Sequence, residues 1–336
     1  MKYYCIDEEF GIDGLSLREK DDPRPGHKQV LVKMKAASIN YRDILMIQGL
    51  YDPRLQRPRI PFSDGAGEVL EIGPDVHRWK VGDRVASTFF GDWRSGNVTY
   101  AGARSGRGGD IDGVLADYVL FEEDGLVEIP DHLSFGEGAT LPCAGVTAWN
   151  ALTAGGSLAG ETVLTLGTGG VSIFAVQLAV ASGMRVIGTS GHEAKLDRLK
   201  EMGVSHTINY RNNPQWEEEV LEATDGVGVD RVIEIGGAGT LARSIRATRI
   251  GGHVSLIGVL AGPNVEGNPF LPAVMKAIHI QGILVGSCAM FEAMNKAIAL
   301  HRIKPVIDRT FSFDEVRQAL KYQLGQAHFG KVVITI

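Results

Sequence analysis

The sequence predicts an α/β protein in which a doubly wound parallel sheet is combined with a second, β-barrel domain. From residue 163 onward, short apolar strands alternate with helices, which is the pattern of parallel β-α-β units. Residues 1–120 instead carry short strands separated by glycine and proline turns, as small barrels do. A chain of 336 residues is long enough for both domains.

The doubly wound half begins with a strand at 163–166, which a glycine turn and an apolar helix follow at once. The turn at 167–172 reads Gly-Thr-Gly-Gly-Val-Ser. Gly167 lets the chain turn tightly, Gly169 lets the backbone approach a pyrophosphate, and the N–H groups at the helix start attract that anion. Ser172 replaces the third glycine of the usual pattern and is small enough for close packing of helix on strand. A glycine turn without nucleotide binding is the alternative.

The spacing of the following elements favours the nucleotide-binding interpretation. Further strands are predicted at 185–190, 206–210, 230–235, 253–258 and 278–285, and helices at 173–181, 193–202, 216–223 and 241–248. Strands and helices that alternate at this period predict a parallel sheet covered on both faces.

The first domain is predicted from alternating strands, turns and helix caps. Strands are expected at 30–36, 65–72 and 84–88, and a closing strand at 331–336 is expected to rejoin the barrel. Two capping-box patterns, Ser134-x-x-Glu137 and Ser312-x-x-Glu315, predict helix starts.

Charge and cysteine usage exclude several classes of protein. The net charge of −6 disfavours nucleic acid and anionic membranes as partners. The N-terminus shows no signal-peptide pattern, and the sequence has no apolar run of about 18 residues. Three scattered cysteines do not form a disulfide framework, which favours a cytoplasmic location. The arginine-glycine tract at 102–109 is expected to be a flexible surface loop rather than a nucleic-acid-binding segment.

Five motifs, together with the order of barrel, dinucleotide-binding domain and return to the barrel, resemble a known superfamily over essentially the full chain. They are Ser38-Ile-Asn-Tyr-Arg-Asp43, Gly65-Ala-Gly-Glu-Val69, Val81-Gly-Asp-Arg-Val85, Ala139-Thr-Leu-Pro142 and the turn at 167–172. Together they resemble the medium-chain dehydrogenase/reductase superfamily and, within it, the zinc-free quinone-oxidoreductase-like branch. The resemblance implies a GroES-like catalytic domain at 1–146 and 285–336, and a Rossmann dinucleotide-binding domain at 147–284. It also implies a homodimer joined through the strand near 278–285.

The residues at the family's zinc-ligand positions do not suit a metal. Relatives with catalytic zinc hold it by Cys, His and Cys, and these positions fall here on Asn40, Ser63 and Cys143. One thiolate is not enough for Zn²⁺, which needs three protein ligands and a water. Residues 92–113, where relatives carry a structural zinc lobe, contain no cysteine. No metal is therefore expected, and Cys143 is interpreted as a small core residue.

Without zinc, the resemblance implies a catalytic set of Asn40, Tyr41 and Asp64. Quinones and α,β-unsaturated carbonyls delocalise the charge left by a hydride, so one or two hydrogen-bond donors are enough to stabilise it. Asn40 is expected to donate to this oxyanion, and Tyr41 or solvent to supply a proton. The alternative for both residues is that their hydrogen bonds only stabilise the loop. Asp43 and Asp64 are expected to position the loop, with unperturbed acidities.

The end of the second strand of the doubly wound sheet favours NADPH over NADH. Enzymes specific for NAD place an acid there, whereas this chain has Ser190. Lys195 lies one helical turn on, and Tyr210 ends the neighbouring strand, so both can reach a 2′-phosphate. A solvated helix residue is the alternative for Lys195. Glu193 would weaken this positive field. The resemblance implies further cofactor contacts at Asn40, Thr147, Gly170, Val171, Gly258, Leu284, Phe329 and Lys331.

Three functions follow from these expectations. The first is an NADPH-dependent, zinc-independent oxidoreductase that transfers hydride to a quinone or an α,β-unsaturated carbonyl. The second is an alcohol dehydrogenase for a small alcohol or aldehyde. The third is a weakly catalytic NADPH-binding sensor or structural protein.

Overall fold

The computed structural model describes residues 1–258 and 267–336, which divide into two compact units. Unit 1 comprises Met1–Val146 and Gly286–Ile336, and unit 2 comprises Thr147–Val285. Val285, which the sequence analysis assigned to the catalytic domain, belongs to unit 2. None of the helices in the described ranges is long and apolar enough to cross a membrane.

The strands begin and end as follows: β1 Lys2–Ile6, β2 Leu15–Glu19, β3 Gln29–Ile39, β4 Asp64–Ile72, β5 Arg84–Ser87, β6 Tyr118–Glu122, β7 Leu126–Glu128, β8 Thr162–Thr165, β9 Arg185–Ser190, β10 His206–Asn209, β11 Val229–Glu234, β12 Thr248–Leu256, β13 His279–Gly282, β14 Ile307–Ser312 and β15 Lys331–Thr335. The α-helices are α1 Tyr41–Ile47, α2 Tyr100–Ala103, α3 Phe135–Gly138, α4 Val146–Thr153, α5 Gly170–Ala181, α6 Glu193–Glu201, α7 Trp216–Glu222, α8 Leu241–Ala247, α9 Phe270–Met275, α10 Cys288–His301 and α11 Val316–Leu324.

The described part of unit 2 is built on a parallel sheet with the strand order β10-β9-β8-β11-β12-β13. This is the strand order of a doubly wound nucleotide-binding sheet. All strands are parallel, but successive strands are added on one side of β8 up to β10 and on its other side from β11 onward, so the strand order reverses between β8 and β11. Ligands of such sheets bind outside the carboxyl ends of the strands at that reversal. The predicted parallel sheet is confirmed, and each predicted strand is present, although β12 begins five residues earlier and β13 ends three residues earlier than predicted.

Unit 1 is organised around the long strand β3, which pairs with β4, β6 and β15. The sheet order is β14-β15-β3-β4-β5-β7, with β6 on β3. Its apolar core includes Phe62 and Phe121, both nearly inaccessible to solvent. Because β15 pairs antiparallel with β3, the chain terminus returns to the first domain, as the sequence predicts.

Both capping boxes are formed, but the helix after the first one is short. Glu137 accepts from the Ser134 N–H at 2.7 Å, and Ser134 Oγ accepts from the Glu137 N–H at 3.2 Å. The helix α3 ends at Gly138, and a π-helical turn at Leu141–Gly145 follows, with a proline near its start, before α4 begins. The second box begins with a 3₁₀ turn at Phe313–Glu315 that leads into α11.

The arginine-glycine tract is packed inside unit 1, so the expected surface loop is wrong for residues 105–109. Arg107 is 5% exposed, and its guanidinium lies over the Phe121 ring at 4.4 Å. Burial lowers the pKa of Arg107 to about 10. Sequence composition suggested solvent exposure because arginine and glycine are common in loops, but the aromatic ring provides a cation–π partner inside the fold.

Candidate active site

The residues proposed for catalysis lie where β3 ends and α1 begins. Asn40 is the N-cap of α1 and Tyr41 is its first residue. The sequence predicted a loop at both positions, and that prediction is wrong. The Asn40 N–H donates to Asp43 Oδ2 at 2.8 Å, which is the acidic half of a capping box. Tyr41 is partly exposed and Asn40 is buried. The helix start therefore holds Asn40 in a defined backbone conformation.

Four buried side chains form what we call the buried polar network: Asn40, Ser63, Asp64 and Lys331. The Lys331 ammonium donates to Asn40 Oδ1 at 2.5 Å and to the Ile39 carbonyl at 2.7 Å. The Asn40 amide donates to Ser63 Oγ at 3.4 Å, and that hydroxyl donates to Asp64 Oδ1 at 2.7 Å. The donors thus follow one direction, from the ammonium through the amide and the hydroxyl to the carboxylate.

The three positions expected to hold zinc in relatives are brought together around Asp64. The Cys143 N–H donates to Asp64 Oδ2 at 3.0 Å, while the Ser63 hydroxyl donates to Oδ1 and itself accepts from the Asn40 amide. Burial, and then the Asp64 charge, raise the pKa of the Cys143 thiol far above its usual range. An amide, a hydroxyl and a neutral thiol are poor zinc ligands, so this donor set does not fit the metal. Within the described ranges, no group of three His, Cys, Asp or Glu side chains could hold one.

Both carboxyls near Asn40 have perturbed acidities, contrary to the sequence expectation. Burial raises the pKa of Asp43 to about 6, against the lowering effect of the neighbouring Arg42 guanidinium. Burial also raises the pKa of Asp64, which the Lys331 ammonium and the Ser63 hydroxyl partly counteract. The expectation was wrong because the pKa of a carboxyl group rises when it is buried away from water, and the sequence does not show how deeply these two groups are buried.

In unit 2, the glycine turn has the geometry required to receive a diphosphate. Gly167 has φ of +70°, and a Cβ on Gly169 would point into open space. Gly169 caps α5, whose first turn includes Gly170 and Val171. Free N–H groups of that turn attract anions. Ser172, which replaces the third glycine of the usual pattern, is buried, and its hydroxyl donates to the Leu166 carbonyl at 2.7 Å. This hydrogen bond holds α5 close to the end of β8.

The predicted phosphate-binding side chains gather at the ends of β9 and β10. The two strands pair in parallel with Ser190 opposite Asn209, and the Tyr210 N–H donates to the Ser190 carbonyl at 3.2 Å. Tyr210 is 42% exposed and therefore accessible to a ligand. Lys195 lies in the first turn of α6 and is partly buried. The edge carries no carboxylate at the last residue of β9.

Arg211 lies at the same edge and was not among the residues predicted from the sequence. A Cβ on Gly191 would lie 2.8 Å from Arg211 Nε and 2.9 Å from Tyr210 Oη, so the guanidinium lies directly beside the end of β9. Its position after Tyr210 was a usable signal, since guanidinium groups bind phosphate in two-point geometry. Glu193, the acid expected to weaken this field, accepts hydrogen bonds from Asn209 and Asn212.

The remaining cofactor predictions fall in both units. In unit 2, a Cβ on Gly258 would lie 1.5 Å from the Ile235 carbonyl oxygen, so only glycine fits there. Thr147 is buried and Leu284 is 41% exposed. In unit 1, Phe329 is buried, as is Lys331 of the buried polar network.

Glu234 is a second residue that sequence analysis missed. It ends β11, the strand beside the reversal, and is fully buried. Its carboxylate accepts from the N–H groups of Gly236 and Gly237 at 2.8 and 2.9 Å, and from the hydroxyls of Thr240 and Ser244. The loop at this end of the sheet is therefore held in one shape by a single side chain.

The parallel sheet and the glycine turn define a dinucleotide-binding protein, and comparison with known proteins identifies its family. The chain matches the alcohol dehydrogenase GroES-like domain over residues 26–131 and the zinc-binding dehydrogenase family over residues 170–301. A zinc-type alcohol dehydrogenase-like protein of Schizosaccharomyces pombe is 43% identical, over 100% of this chain and 99% of that protein. This chain belongs to the medium-chain dehydrogenase/reductase superfamily and is an NAD(P)-dependent oxidoreductase.

Two further relatives extend the range of similar proteins. An acryloyl-coenzyme A reductase of Metallosphaera sedula is 28% identical over 96% of both chains. The solved structure of the quinone oxidoreductase from Coxiella burnetii aligns with a TM-score of 0.80 and 26% identity, over 100% of this chain and 99% of that chain. The resemblance drawn from the motifs, and the fold class of a Rossmann sheet with a GroES-like domain, are confirmed.

Proposed function

We propose that this protein is an NADPH-dependent, zinc-independent oxidoreductase that reduces a quinone or an α,β-unsaturated carbonyl. The observation that carries the proposal is the buried polar network, in which an oriented amide occupies a position where zinc-dependent relatives have a metal ligand. Asn40, Ser63 and a neutral Cys143 thiol do not form a metal site. The polarising group must therefore be a hydrogen-bond donor.

The proposed chemistry assigns one task to each residue. Bound NADPH supplies the hydride. Asn40 Nδ2 stabilises the negative charge that develops on the substrate oxygen, because a fixed donor in a buried site needs little reorganisation. Tyr41, which is partly exposed at the start of α1, or solvent protonates the product. Asp64 holds Ser63 and the Cys143 backbone, and thereby the surroundings of the amide.

The acceptor class follows from the strength of one amide donor. An amide polarises a carbonyl much less than Zn²⁺ does, so the substrate itself must delocalise charge, as quinones and enones do. The names of the Metallosphaera reductase and the Coxiella quinone oxidoreductase refer to substrates of this kind. Their similarity to this chain supports the proposal.

The preference for NADPH rests on the edge formed by β9 and β10. Ser190, Lys195, Tyr210 and Arg211 supply hydroxyl and cationic donors there, and no acid ends β9. The glycine turn and Thr147, Gly258 and Leu284 of unit 2 are proposed to contact the rest of the cofactor. Asn40 and Phe329 are the proposed contacts from unit 1. A cofactor contact at Lys331 is not proposed, because its ammonium is already bonded to the Ile39 carbonyl and Asn40 Oδ1.

A second candidate is an alcohol dehydrogenase for a small alcohol or aldehyde. The zinc-binding dehydrogenase match and the Schizosaccharomyces relative favour it by name. The donor set around Asp64 argues against it, because oxidation of a simple alcohol in this family's zinc enzymes relies on a metal to lower the alcohol pKa.

A substrate panel separates the candidates. Purified protein is assayed with 1,4-benzoquinone, several enones and several aldehydes, each with NADPH and with NADH, and with small alcohols and NADP⁺ or NAD⁺. Each reaction is repeated with a chelator and with added Zn²⁺. Turnover of quinones or enones that is insensitive to metal supports the proposal, whereas zinc-dependent alcohol oxidation establishes the alternative. Tight NADPH binding without turnover of any substrate would identify a sensor or structural protein.

We further propose a homodimer that pairs through β13. This strand is hydrogen-bonded to β12 and is exposed along its length. The neighbouring sequence forms α9, whose Phe270, Val274 and Met275 are each more than 70% exposed. Such an apolar surface is typical of a subunit interface. Light scattering should give a dimer for the natural chain and a monomer for the double variant Phe270→Asp, Val274→Asp.

A cytoplasmic location is part of the same proposal. Cys5, Cys143 and Cys288 are each unpaired, which suits a reducing compartment. Imaging of a fluorescent fusion in the source cell tests it.

A further inference from the structure

Lys331 carries a buried positive charge whose partners are unusual for lysine. Its side chain is 3% exposed, and its ammonium contacts the Ile39 carbonyl and Asn40 Oδ1. Lysine is almost never fully buried unless its charge is compensated. The buried Asp64 carboxylate, which is connected to the ammonium by three hydrogen bonds through Asn40 and Ser63, is the compensating charge. The ammonium is thus fixed against the amide assigned to catalysis.

This contact decides which way the Asn40 amide points. An ammonium group can only donate hydrogen bonds, so the atom that faces Lys331 must be the amide oxygen. The amide nitrogen then faces Ser63 Oγ, whose own proton goes to Asp64. The amide thus donates toward Ser63 Oγ and the Asp64 carboxylate, and the proposed function requires one of its two N–H groups to donate instead to a substrate oxygen. In the flipped orientation, the NH₂ group would meet the ammonium and lose both hydrogen bonds.

We propose that Lys331 is a positioning residue, which orients and polarises the Asn40 amide and so provides the positive charge that zinc provides in metal-dependent relatives. A cation on the amide oxygen withdraws electron density from nitrogen, and this makes the N–H groups stronger donors. The developing oxyanion is then stabilised by a charge-assisted donor without a metal ion. This inference rests on the proposed function, and it assigns Lys331 a role different from direct cofactor contact.

The test compares three lysine variants in turnover with a quinone or an enone. Lys331→Met keeps the length of the side chain but removes the charge, Lys331→Arg keeps the charge, and Lys276→Met is the matched control. The Lys276 ammonium also donates to two backbone carbonyls, at 2.6 and 2.7 Å, but it lies in unit 2. We expect Lys331→Met to lower kcat at least about tenfold, with the NADPH dissociation constant changed less than about twofold. Lys331→Arg should recover much of the loss, and Lys276→Met should keep the natural kcat.

Coupling to Asn40 separates positioning from a merely structural role. In the Asn40→Ala background, Lys331→Met should cause little further loss of kcat, because its effect passes through the missing amide. Additive losses would overturn the proposal. A weakened NADPH affinity with unchanged kcat would also overturn it, and would assign Lys331 to cofactor binding instead.

A readout that needs no turnover distinguishes this inference from the proposed function. With ¹⁵N-labelled asparagine, the side-chain resonances of Asn40 are those that disappear in Asn40→Ala. Their proton shifts should move toward free-amide values in Lys331→Met and stay unchanged in Lys276→Met. If the natural protein reduces no substrate of the panel, the proposed function fails, but this shift still decides the inference. Unchanged Asn40 resonances in a folded Lys331→Met protein would contradict it.

Discussion

The candidate functional residues fall in two halves of the molecule, unit 1 and unit 2, and these halves differ in how they are built. In unit 1, the buried polar network consists of side chains that are sealed from water and bonded to one another. In unit 2, the proposed phosphate-binding edge lies at the ends of β9 and β10 and carries partly exposed side chains such as Tyr210, and the glycine turn after β8 adds backbone N–H groups. In the first half, folding alone fixes the positions of the polar side chains, so their hydrogen-bond donors can stabilise a developing charge without rearranging. The second half leaves space and donors for a ligand to complete.

This difference predicts different consequences of mutation. A change in the buried polar network should affect turnover and stability, because a buried polar group left unpaired costs free energy of folding. A change at the phosphate-binding edge should affect cofactor affinity, with little effect on unfolding.

The largest effect is expected for Asn40→Ala. Loss of one oxyanion donor typically lowers turnover by roughly 10²–10³, while the NADPH dissociation constant should change little. Steady-state kinetics and fluorescence titration measure the two quantities. Asn40→Asp is the matched control for packing, since it keeps an oxygen toward Lys331 but removes the N–H donors. Near-normal turnover in either variant would remove Asn40 from the mechanism.

The next effect concerns pH and Asp43. Its pKa is raised to about 6 in the fold, above the ordinary value near 3.9. The folded protein therefore binds this proton more tightly than the unfolded chain, so its contribution to stability is present below about pH 4 and is lost as pH rises through 6. The difference amounts to at most about 3 kcal/mol. In urea unfolding between pH 4 and 7, the free energy of unfolding should decline less for Asp43→Asn than for the natural chain. Equal declines in the two proteins would contradict the raised pKa of Asp43.

A smaller effect is expected at the phosphate-binding edge for Lys195→Glu. A charge-assisted bond is worth about 1.5–3 kcal/mol, so the NADPH dissociation constant should rise about tenfold or more. The NADH constant and the urea midpoint should stay nearly unchanged. Arg211→Gln should weaken NADPH in the same selective way. Equal dissociation constants for NADPH and NADH in the natural protein would show that the edge does not recognise the 2′-phosphate.

No effect is expected from metal. Elemental analysis of the purified protein should find no stoichiometric zinc, and chelation should leave quinone reduction unchanged, because Asn40 and Ser63 cannot replace Cys and His as ligands. Near-stoichiometric zinc would revive the alcohol dehydrogenase alternative.

The sequence by itself determined the features that are encoded over short stretches. Strand and helix periodicity predicted the parallel sheet, and the turn at 167–172 predicted its nucleotide-binding end, because each depends on neighbouring residues. Capping patterns located helix starts for the same reason. The absence of an acid after β9 was likewise visible without a structure.

Only the tertiary structure decided the contacts that join distant parts of the chain. Lys331 reaches Asn40 across 291 positions because β15 pairs with β3, and no local pattern encodes that pairing. The same holds for the raised pKa of Asp43, the burial of Arg107 and the place of Arg211 beside Gly191. Desolvation and charge depend on what packs around a side chain, and this is set by the whole fold rather than by the residues next to it in sequence.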